Sequence, residues 1–233
     1  MQPKAPERSP RNVNRAGKAS SGKVAVASDF LDVASVDVVL STTRSVRRKL
    51  DFDRAVPPEV IHDCVNLATQ APTGLGGENW RFMVVADPEK KRSLAALYKT
   101  VLTDLAKQRG IEVKATQQAL VDRLHEIPAM IFVCTTADRP GTEVAGQVAY
   151  YGSILPAAWS LMLALRARNL GATWTTLLSA RQEEVAAVLG MPPGVVQTVM
   201  LPVAYTKDAR LKKADRLDAA QVTYWDSWGS DSP

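Results

Sequence analysis

The segment WRFMVVADPEKKRSLAALYKTVLTDLAKQRG, residues 80–110, places a short apolar stretch directly before a long amphipathic one. Residues 80–86 are rich in branched and aromatic side chains, which indicates a buried strand. Asp87 stands at a helix cap position, Pro88 at the first helical position and Gly110 just past the end. These three residues predict a helix between them, so the domain combines a sheet with helices.

The rest of the chain continues this alternation of helices and strands. Helices are predicted at residues 29–40, 57–71, 117–125, 144–169 and 179–190, and strands at 128–137, 171–178 and 194–205. No period of about 20–50 residues repeats, which excludes a solenoid. With short loops between the elements, the pattern predicts an α+β fold in which a mixed central sheet is sandwiched by helices.

The positive charge of the chain is concentrated at its N-terminus. The formal net charge is +5, and residues 1–27 carry six basic side chains against Glu7 alone, so residues 28–233 are close to neutral. Residues 1–27 are also rich in Pro, Ser, Gly and Asn, which predicts a disordered basic tail. Residues 28–233 are then expected to form one domain. A neutral folded body disfavours nucleic acid as its partner, although the basic tail can still approach an anionic surface.

Cysteine usage indicates the cellular compartment. Cys64 and Cys134 lie in apolar runs, and neither belongs to a metal-binding spacing. No secretory signal is recognisable before them, so we expect reduced core cysteines, no metal and a cytoplasmic protein.

One apolar segment has the length of a marginal membrane span. Residues 148–165 contain no charged side chain, but they include Gly152 and Pro156, and Arg166 follows them. We expect a helix buried in the core or at a subunit interface and no membrane contact.

Residues for acid–base or nucleophilic catalysis are scarce. His62 and His125 lie on predicted amphipathic helices among charged neighbours, which is typical of surface histidines. The glycine-rich loop TGLGGEN, residues 73–79, lies between a helix and a strand, whereas phosphate-binding glycine motifs lead from a strand into a helix. A bound cofactor therefore supplies the chemistry more readily than the side chains do.

The stretch STTRSVRRKL, residues 41–50, is the candidate for binding that cofactor. Arg44 and Arg47 are three positions apart and share a face if the segment is helical, and Ser45 adds a hydroxyl. Two guanidinium groups suit a phosphate dianion, whereas Arg48 and Lys49 would point elsewhere. Spacing alone leaves a solvated surface as the alternative.

Several separated blocks resemble, in order, the FMN-dependent nitroreductase family. They are RSVR at 44–47, ATQAPTGLGGENWRFMVVADPEK at 68–90, LGATWTTLL at 170–178, EEVAAVLGMPPGVVQTVMLPVAY at 183–205 and YWDSW at 224–228. The likeness covers residues 36–228. Its departures are Thr43 for the first arginine of the basic motif, Asn79 for the proline before Trp80, and Ala214 at a late arginine position.

The resemblance implies a set of FMN-binding residues. They are Arg44, Ser45, Arg47 and Arg48; Pro72, Thr73 and Glu78; Trp174, Thr175 and Thr176; and Lys213 and Arg216. The first group corresponds to positions at the phosphate and ribityl chain, and the last group lies near the family's last phosphate-binding basic residue. The two middle groups correspond to positions beside the flavin ring, with Glu78 within reach of the ring or the ribityl chain. The chemistry would take place at flavin N5, with no catalytic side chain.

The resemblance also implies an assembly and a reaction. The family forms domain-swapped homodimers with two FMN sites, each built by both chains. NADH or NADPH gives a hydride to FMN and leaves, and a nitroaromatic or quinone acceptor then takes two electrons in the same pocket. The expected partners are therefore a second copy of the chain and a small aromatic acceptor.

Other activities of the same fold stay open. The loop at 71–80 and the TWTT segment are close to the halotyrosine dehalogenase branch, which uses a lid glutamate, tyrosine and lysine. The lid region of this chain, residues 99–127, contains no tyrosine, and Tyr98 is the nearest one. This favours nitroreductase over dehalogenase. A branch that consumes reduced flavin, a non-catalytic flavin-binding protein and a nucleic-acid-binding protein are further alternatives.

Overall fold

The structure is a computed structural model that describes residues 31–74 and 77–231. The chain divides into a unit of residues 1–33 and a larger unit of residues 34–233, and the second contains the sheet. The predicted disordered tail, residues 1–27, lies outside the described residues.

The described residues form helices and strands in alternation, as the sequence predicts. The elements are α1 (Val33–Thr42), β1 (Leu50–Asp51), α2 (Pro58–Ala68), β2 (Trp80–Val85), α3 (Pro88–Arg109), α4 (Ala115–Val121), β3 (Ala129–Thr135), α5 (Val144–Gly152), α6 (Leu155–Ala167), β4 (Leu170–Ala172), α7 (Gln182–Leu189) and β5 (Val196–Thr206). Short 3-10 helices add Leu124–Glu126, Leu177–Arg181 and Ala219–Gln221.

The strands form one sheet in the order β1-β5-β3-β2, and β4 also pairs with β5. All of these strand pairs are antiparallel, so the prediction of a mixed sheet is wrong for the described strands. A parallel contact does occur between Ser45 and Ala172, but it is an isolated bridge outside the ladders.

Helices cover both faces of this sheet, which confirms the predicted sandwich. Along β3, alternate residues enter two different cores, one with Ile131 and Val133 and the other with Phe132 and Cys134. α2 and α6 pack in the first core, and α3 and α7 in the second. Every residue of β3 is buried because both faces of the strand are covered.

The caps of α3 are those that the sequence predicts. The side chain of Asp87 accepts a hydrogen bond from the Lys90 N–H at 2.9 Å, and Pro88 occupies the first turn. Gly110 adopts a left-handed φ of 61° just past the end of the helix, a conformation that costs glycine little.

Two predicted elements differ from the observed ones. The helix expected over 144–169 is divided into α5 and α6, because Pro156 occupies the first turn of a new helix. The strand expected over 171–178 ends at Ala172, and Thr175 makes only an isolated bridge to Met200.

Half of the long apolar segment belongs to the core, and the exposed half lies mainly on α5. Residues Val144–Ala167 have the length and composition of a membrane span, with mean hydropathy 1.4, but half of the most apolar window is buried inside the domain. Leu161 and Leu165 of α6 are fully buried in the core that contains α2. Cys64 and Cys134 are buried free thiols, as expected.

Candidate functional site

The basic segment 43–49 contains no helical turn, and Ser45 forms an isolated parallel bridge with Ala172 of β4, so the helical turn considered for it is wrong. The Val46 N–H donates to the Ala172 carbonyl oxygen at 2.9 Å, and the Thr173 hydroxyl donates to the Val46 carbonyl oxygen at 2.6 Å. These bonds align the segment with the chain that continues from β4 toward Thr176.

Gly171 allows this close approach. A Cβ at residue 171 would lie 2.9 Å from Leu50 Cδ2, 3.0 Å from Thr206 Cγ2 and 3.2 Å from Val46 Cβ. Val46 within the basic segment and Leu50 just after it therefore pack directly on the backbone of Gly171.

Ser45 joins the basic segment to the wall formed by residues 174–176. Its hydroxyl oxygen accepts a hydrogen bond from the Trp174 backbone N–H at 3.0 Å. A serine hydroxyl that accepts still has its own proton to donate, so Ser45 can serve a ligand in the adjoining groove.

That groove, which we call the basic groove, has a volume of about 980 Å³. It is lined by five of the predicted site residues, Arg44, Ser45, Arg47, Lys213 and Arg216, together with Asp215. Four cations against one carboxylate give it a positive field. Across residues 31–74 and 77–231, none of these four cations forms an ion pair with a carboxylate.

Arg44 carries an unsatisfied donor at this groove. Its Nε is buried and has no hydrogen-bond partner among the described residues. A buried guanidinium donor without a partner is costly, and a bound anion would satisfy it. The basic groove is therefore suited to a phosphate group.

The residues of the TWTT segment have different roles. The Thr175 N–H donates to the Met200 carbonyl oxygen at 3.2 Å, and its hydroxyl donates to the Tyr98 hydroxyl oxygen at 3.2 Å. Thr176 is exposed, and its N–H and hydroxyl have no protein partner in the described part of the chain. Of the two threonines, Thr176 is the one whose donors are free for a ligand.

Two further cavities beside the basic groove include residues of this wall in their lining. A cavity of about 260 Å³ between α3 and the wall is lined by Arg47, Tyr98 and all three residues 174–176. An apolar groove of about 670 Å³ is lined by Ser45, Tyr151, Trp159 and Trp174. Both adjoin the basic groove, the first through Arg47 and the second through Ser45 and Trp159. The arrangement offers a charged end next to flat apolar and hydroxyl-bearing walls.

The predicted residues of the glycine-rich loop do not line the basic groove or these two cavities. Pro72, Thr73 and Glu78 are exposed. The loop is held instead by the Gly74 N–H, which donates to Ser153 Oγ at 3.0 Å, and by the Thr73 hydroxyl, which donates to the Gly77 carbonyl oxygen at 3.0 Å.

Arg48 also lies apart from the site. It is exposed and does not line the basic groove. The two histidines, His62 and His125, are exposed on helices, as the sequence predicts.

The sequence missed the partner of Thr175. Tyr98 is 5% exposed and meets Thr175 across 77 positions of sequence. The residues around Tyr98 do not predict this contact, because their helical spacing predicts only that Tyr98 is buried.

Residues 40–205 match the sequence profile described as the nitroreductase family. The chain belongs to this family. The matched range contains the basic segment 43–49, the glycine-rich loop and Trp174–Thr176, whereas Lys213 and Arg216 follow it.

Among curated relatives, mouse (Mus musculus) iodotyrosine deiodinase 1 is 29% identical over 203 residues. The match covers 79% of this chain and 68% of the mouse protein, so the chain spans about two thirds of that relative.

Solved structures confirm the fold. One is an oxidized iodotyrosine deiodinase bound to FMN and 3-iodo-L-tyrosine, with a TM-score of 0.61 and 20% identity over 82% of this chain and 100% of that chain. Another is the NADPH:FMN oxidoreductase from Vibrio harveyi complexed with NAD+, with a TM-score of 0.62 and 15% identity over 85% of this chain and 79% of that chain. The nitroreductase fold of this chain is therefore shared with flavin enzymes of different names.

Proposed function

We propose that the chain is an FMN-dependent oxidoreductase that takes electrons from NADH or NADPH and reduces nitroaromatic or quinone acceptors. The observation that carries this proposal is the convergence of Arg44, Ser45 and Arg47 with Lys213 and Arg216 in one groove beside the wall 174–176. Its support from relatives is the FMN named for the deiodinase structure and the NADPH:FMN activity named for the Vibrio harveyi enzyme.

The residues present suit FMN. The buried Arg44 Nε has no partner among the described residues, and the cations that line the basic groove form no ion pairs there. Arg44, Ser45, Arg47, Lys213 and Arg216 would hold the phosphate and ribityl chain. When bound, FMN supplies two-electron redox chemistry.

The chain contributes position and charge to this chemistry. The N–H and hydroxyl of Thr176 have no partner among the described residues and would stabilise negative charge on a bound flavin ring. Trp174 and Trp159 offer flat apolar faces that exclude water. No histidine lines the three cavities, so we assign no acid or base to a side chain in the described part of the chain.

A homodimer completes this proposal. Exposed apolar side chains on α1 and α5, among them Val36, Leu40, Val148 and Tyr151, form surfaces that a second copy would cover. Pro72, Thr73 and Glu78 lie outside the basic groove of their own chain, which suits a loop that completes the partner's FMN site. Light scattering after size-exclusion chromatography should give twice the monomer mass; a monomer that retains FMN would contradict a shared site.

The redox proposal is tested by spectroscopy on the purified protein. A flavin absorption spectrum should bleach on anaerobic addition of NADPH or NADH and return when a nitroaromatic is added. A colourless protein that also takes up no added FMN would overturn the proposal. The buried free thiols Cys64 and Cys134 are suited to a reducing compartment, and we expect the protein in the cytoplasm.

Iodotyrosine deiodination is a second candidate because the mouse relative carries that name. The Tyr98 hydroxyl is buried and accepts from Thr175, which holds the tyrosine nearest to residues 99–127 against the wall of the cavity that it lines. Assays of iodide release from 3-iodotyrosine and of nitroaromatic reduction, run on the same FMN-loaded sample, separate the two activities.

A further inference from the structure

A cavity of about 460 Å³ is separate from the basic groove and shares Thr176 with the cavity beside Arg47. We call it the tyrosine–glutamine cavity because Tyr150 of α5 and Gln197 of β5 line it. This volume is in the range of small-molecule sites. The cavity shares Tyr151 and Leu155 with the apolar groove, so the two spaces adjoin.

Two of the residues that line this cavity carry an unsatisfied polar group. Within residues 31–74 and 77–231, four buried side-chain polar atoms have no hydrogen-bond partner, and two of them are the Tyr150 hydroxyl and the Gln197 Nε2. Tyr150 is 2% exposed and Gln197 is 1% exposed. Folding leaves such groups unpaired only at a cost, so two in one cavity indicate a ligand that satisfies both.

The backbone of β5 is shaped to present Gln197. Val133 pairs with Val199 and Cys134 with Gln197, so Thr198 is an extra residue in the ladder. The Gln182 side chain then fixes residue 197 in both directions: its Nε2 donates to the Gln197 carbonyl oxygen at 2.7 Å, and its Oε1 accepts from the Gln197 N–H at 3.1 Å. A bulge held in this way re-aims a side chain.

The charges around the cavity favour an anion. Arg139 is exposed at its edge, and none of the described residues that line it is acidic. Burial raises the pKa of Tyr150, which keeps its hydroxyl protonated and able to donate. A hydroxyl donor, an amide donor and a guanidinium together match a carboxylate.

We propose that the tyrosine–glutamine cavity binds the carboxylate of an aromatic acceptor, so that the enzyme prefers acceptors that are aromatic carboxylic acids. This inference rests on the proposed redox function, in which an aromatic acceptor takes electrons from FMN. The carboxylate meets Tyr150 and Gln197, and the attached ring extends along Tyr151 and Leu155 into the apolar groove. Thr176 borders this cavity and the cavity beside Arg47, which places the acceptor next to the proposed FMN site.

The first test measures binding without turnover. Benzoate should bind the FMN-loaded protein about tenfold more tightly than benzamide in isothermal titration calorimetry, because benzamide lacks the charge. Tyr150→Phe and Gln197→Met should each weaken benzoate binding about tenfold and leave benzamide within about twofold. Gln108→Met, on the exposed face of α3, is the matched control and should bind benzoate like the wild type.

A folding defect is separated from a binding defect by the same variants. Tyr150→Phe removes a hydroxyl that has no protein partner among the described residues, so its thermal midpoint should equal or exceed that of the wild type. Weaker benzoate binding in this variant therefore reports the cavity.

The second test uses the reaction. The ratio of kcat/KM for 4-nitrobenzoate to that for 4-nitrobenzamide should be about ten or more in the wild type and should fall toward one in Gln197→Met. Reduction of both acceptors with equal efficiency, or benzoate binding unchanged by Tyr150→Phe and Gln197→Met, would overturn the carboxylate site and leave the redox function standing. A protein that reduces neither acceptor would overturn the redox function, and the calorimetry on that protein would still decide whether the cavity binds a carboxylate.

Discussion

The Ser45 hydroxyl oxygen accepts a hydrogen bond from the Trp174 backbone N–H at 3.0 Å, although the two residues are 129 positions apart. This bond joins the segment that supplies Arg44 and Arg47 to the wall that presents Thr176. The charged end and the hydroxyl-bearing wall of the proposed FMN site therefore keep a fixed separation.

Ser45→Ala should affect both stability and FMN binding. The substitution leaves the Trp174 N–H without its partner, which costs about 1 kcal/mol in the free energy of unfolding. It also frees the wall from the basic segment, so FMN affinity should fall several-fold. Urea unfolding and FMN fluorescence titration measure the two effects. Thr100→Ala, whose hydroxyl bonds only within α3, is the control, and equal behaviour of the two variants would contradict the role of Ser45.

Arg44→Ala and Arg47→Ala should each weaken FMN binding about 10- to 100-fold, the range expected for loss of a hydrogen bond to a charged group. Arg48→Ala provides the matched control, since Arg48 is exposed and does not line the basic groove. Fluorescence titration at two salt concentrations measures the affinities. Equal losses in all three variants would indicate a diffuse positive field, and the directed contacts from Arg44 and Arg47 would then be wrong.

Gly171→Ala should destabilise the domain by about 1–3 kcal/mol, the usual cost of overpacking. Its Cβ would meet Leu50, Thr206 and Val46 at 2.9–3.2 Å, and the last of these belongs to the basic segment. FMN affinity should therefore fall together with stability. Gly146→Ala is the control, because a Cβ there meets only Pro140 Cβ at 3.8 Å, an ordinary contact in a helix that favours alanine. Chemical unfolding with and without FMN measures both effects.

Ser153→Ala should reduce FMN retention through the glycine-rich loop. The Ser153 hydroxyl oxygen accepts the Gly74 N–H at 3.0 Å and so fixes the loop that carries Pro72, Thr73 and Glu78. If this loop completes the partner's site, co-expressed chains carrying Arg47→Ala and Ser153→Ala should form mixed dimers with one intact FMN site. One flavin per mixed dimer, measured by absorbance, is the expected result. Full loss of flavin from those dimers would place both residues in the same chain's site.

Local signals predicted the parts of the fold that depend on neighbouring residues. The cap at Asp87, the stop at Gly110 and the apolar run of β3 each act over a few positions, and the structure has each where the sequence places it. The basic segment was predicted less well, because its non-helical path is set by hydrogen bonds between Val46 and residues Ala172 and Thr173, more than 120 positions later.

The candidate site was also predicted only in part, again because some of its features depend on distant contacts. Residue types and the family resemblance selected Arg44, Ser45, Arg47, Lys213 and Arg216, which do line one groove. The resemblance could not distinguish Thr175 from Thr176, because the difference arises from contacts with Tyr98 and Met200 on other elements.

The two cysteines should be unreactive in the folded protein, and their burial should make stability depend on alkaline pH. Burial raises the pKa of the Cys134 thiol from its usual 9.0 to about 12, and burial also raises the pKa of Cys64. Because the unfolded thiol ionises first, the contribution of Cys134 to stability is fully present below pH 9 and is lost as the pH rises toward 12. A shift of this size corresponds to a few kcal/mol at most. Unfolding curves between pH 8 and pH 11 should show this loss, with a smaller slope in Cys134→Ala, and dithionitrobenzoate should label neither thiol until the protein unfolds. Rapid labelling of the native protein at pH 8 would contradict the buried placement of both thiols.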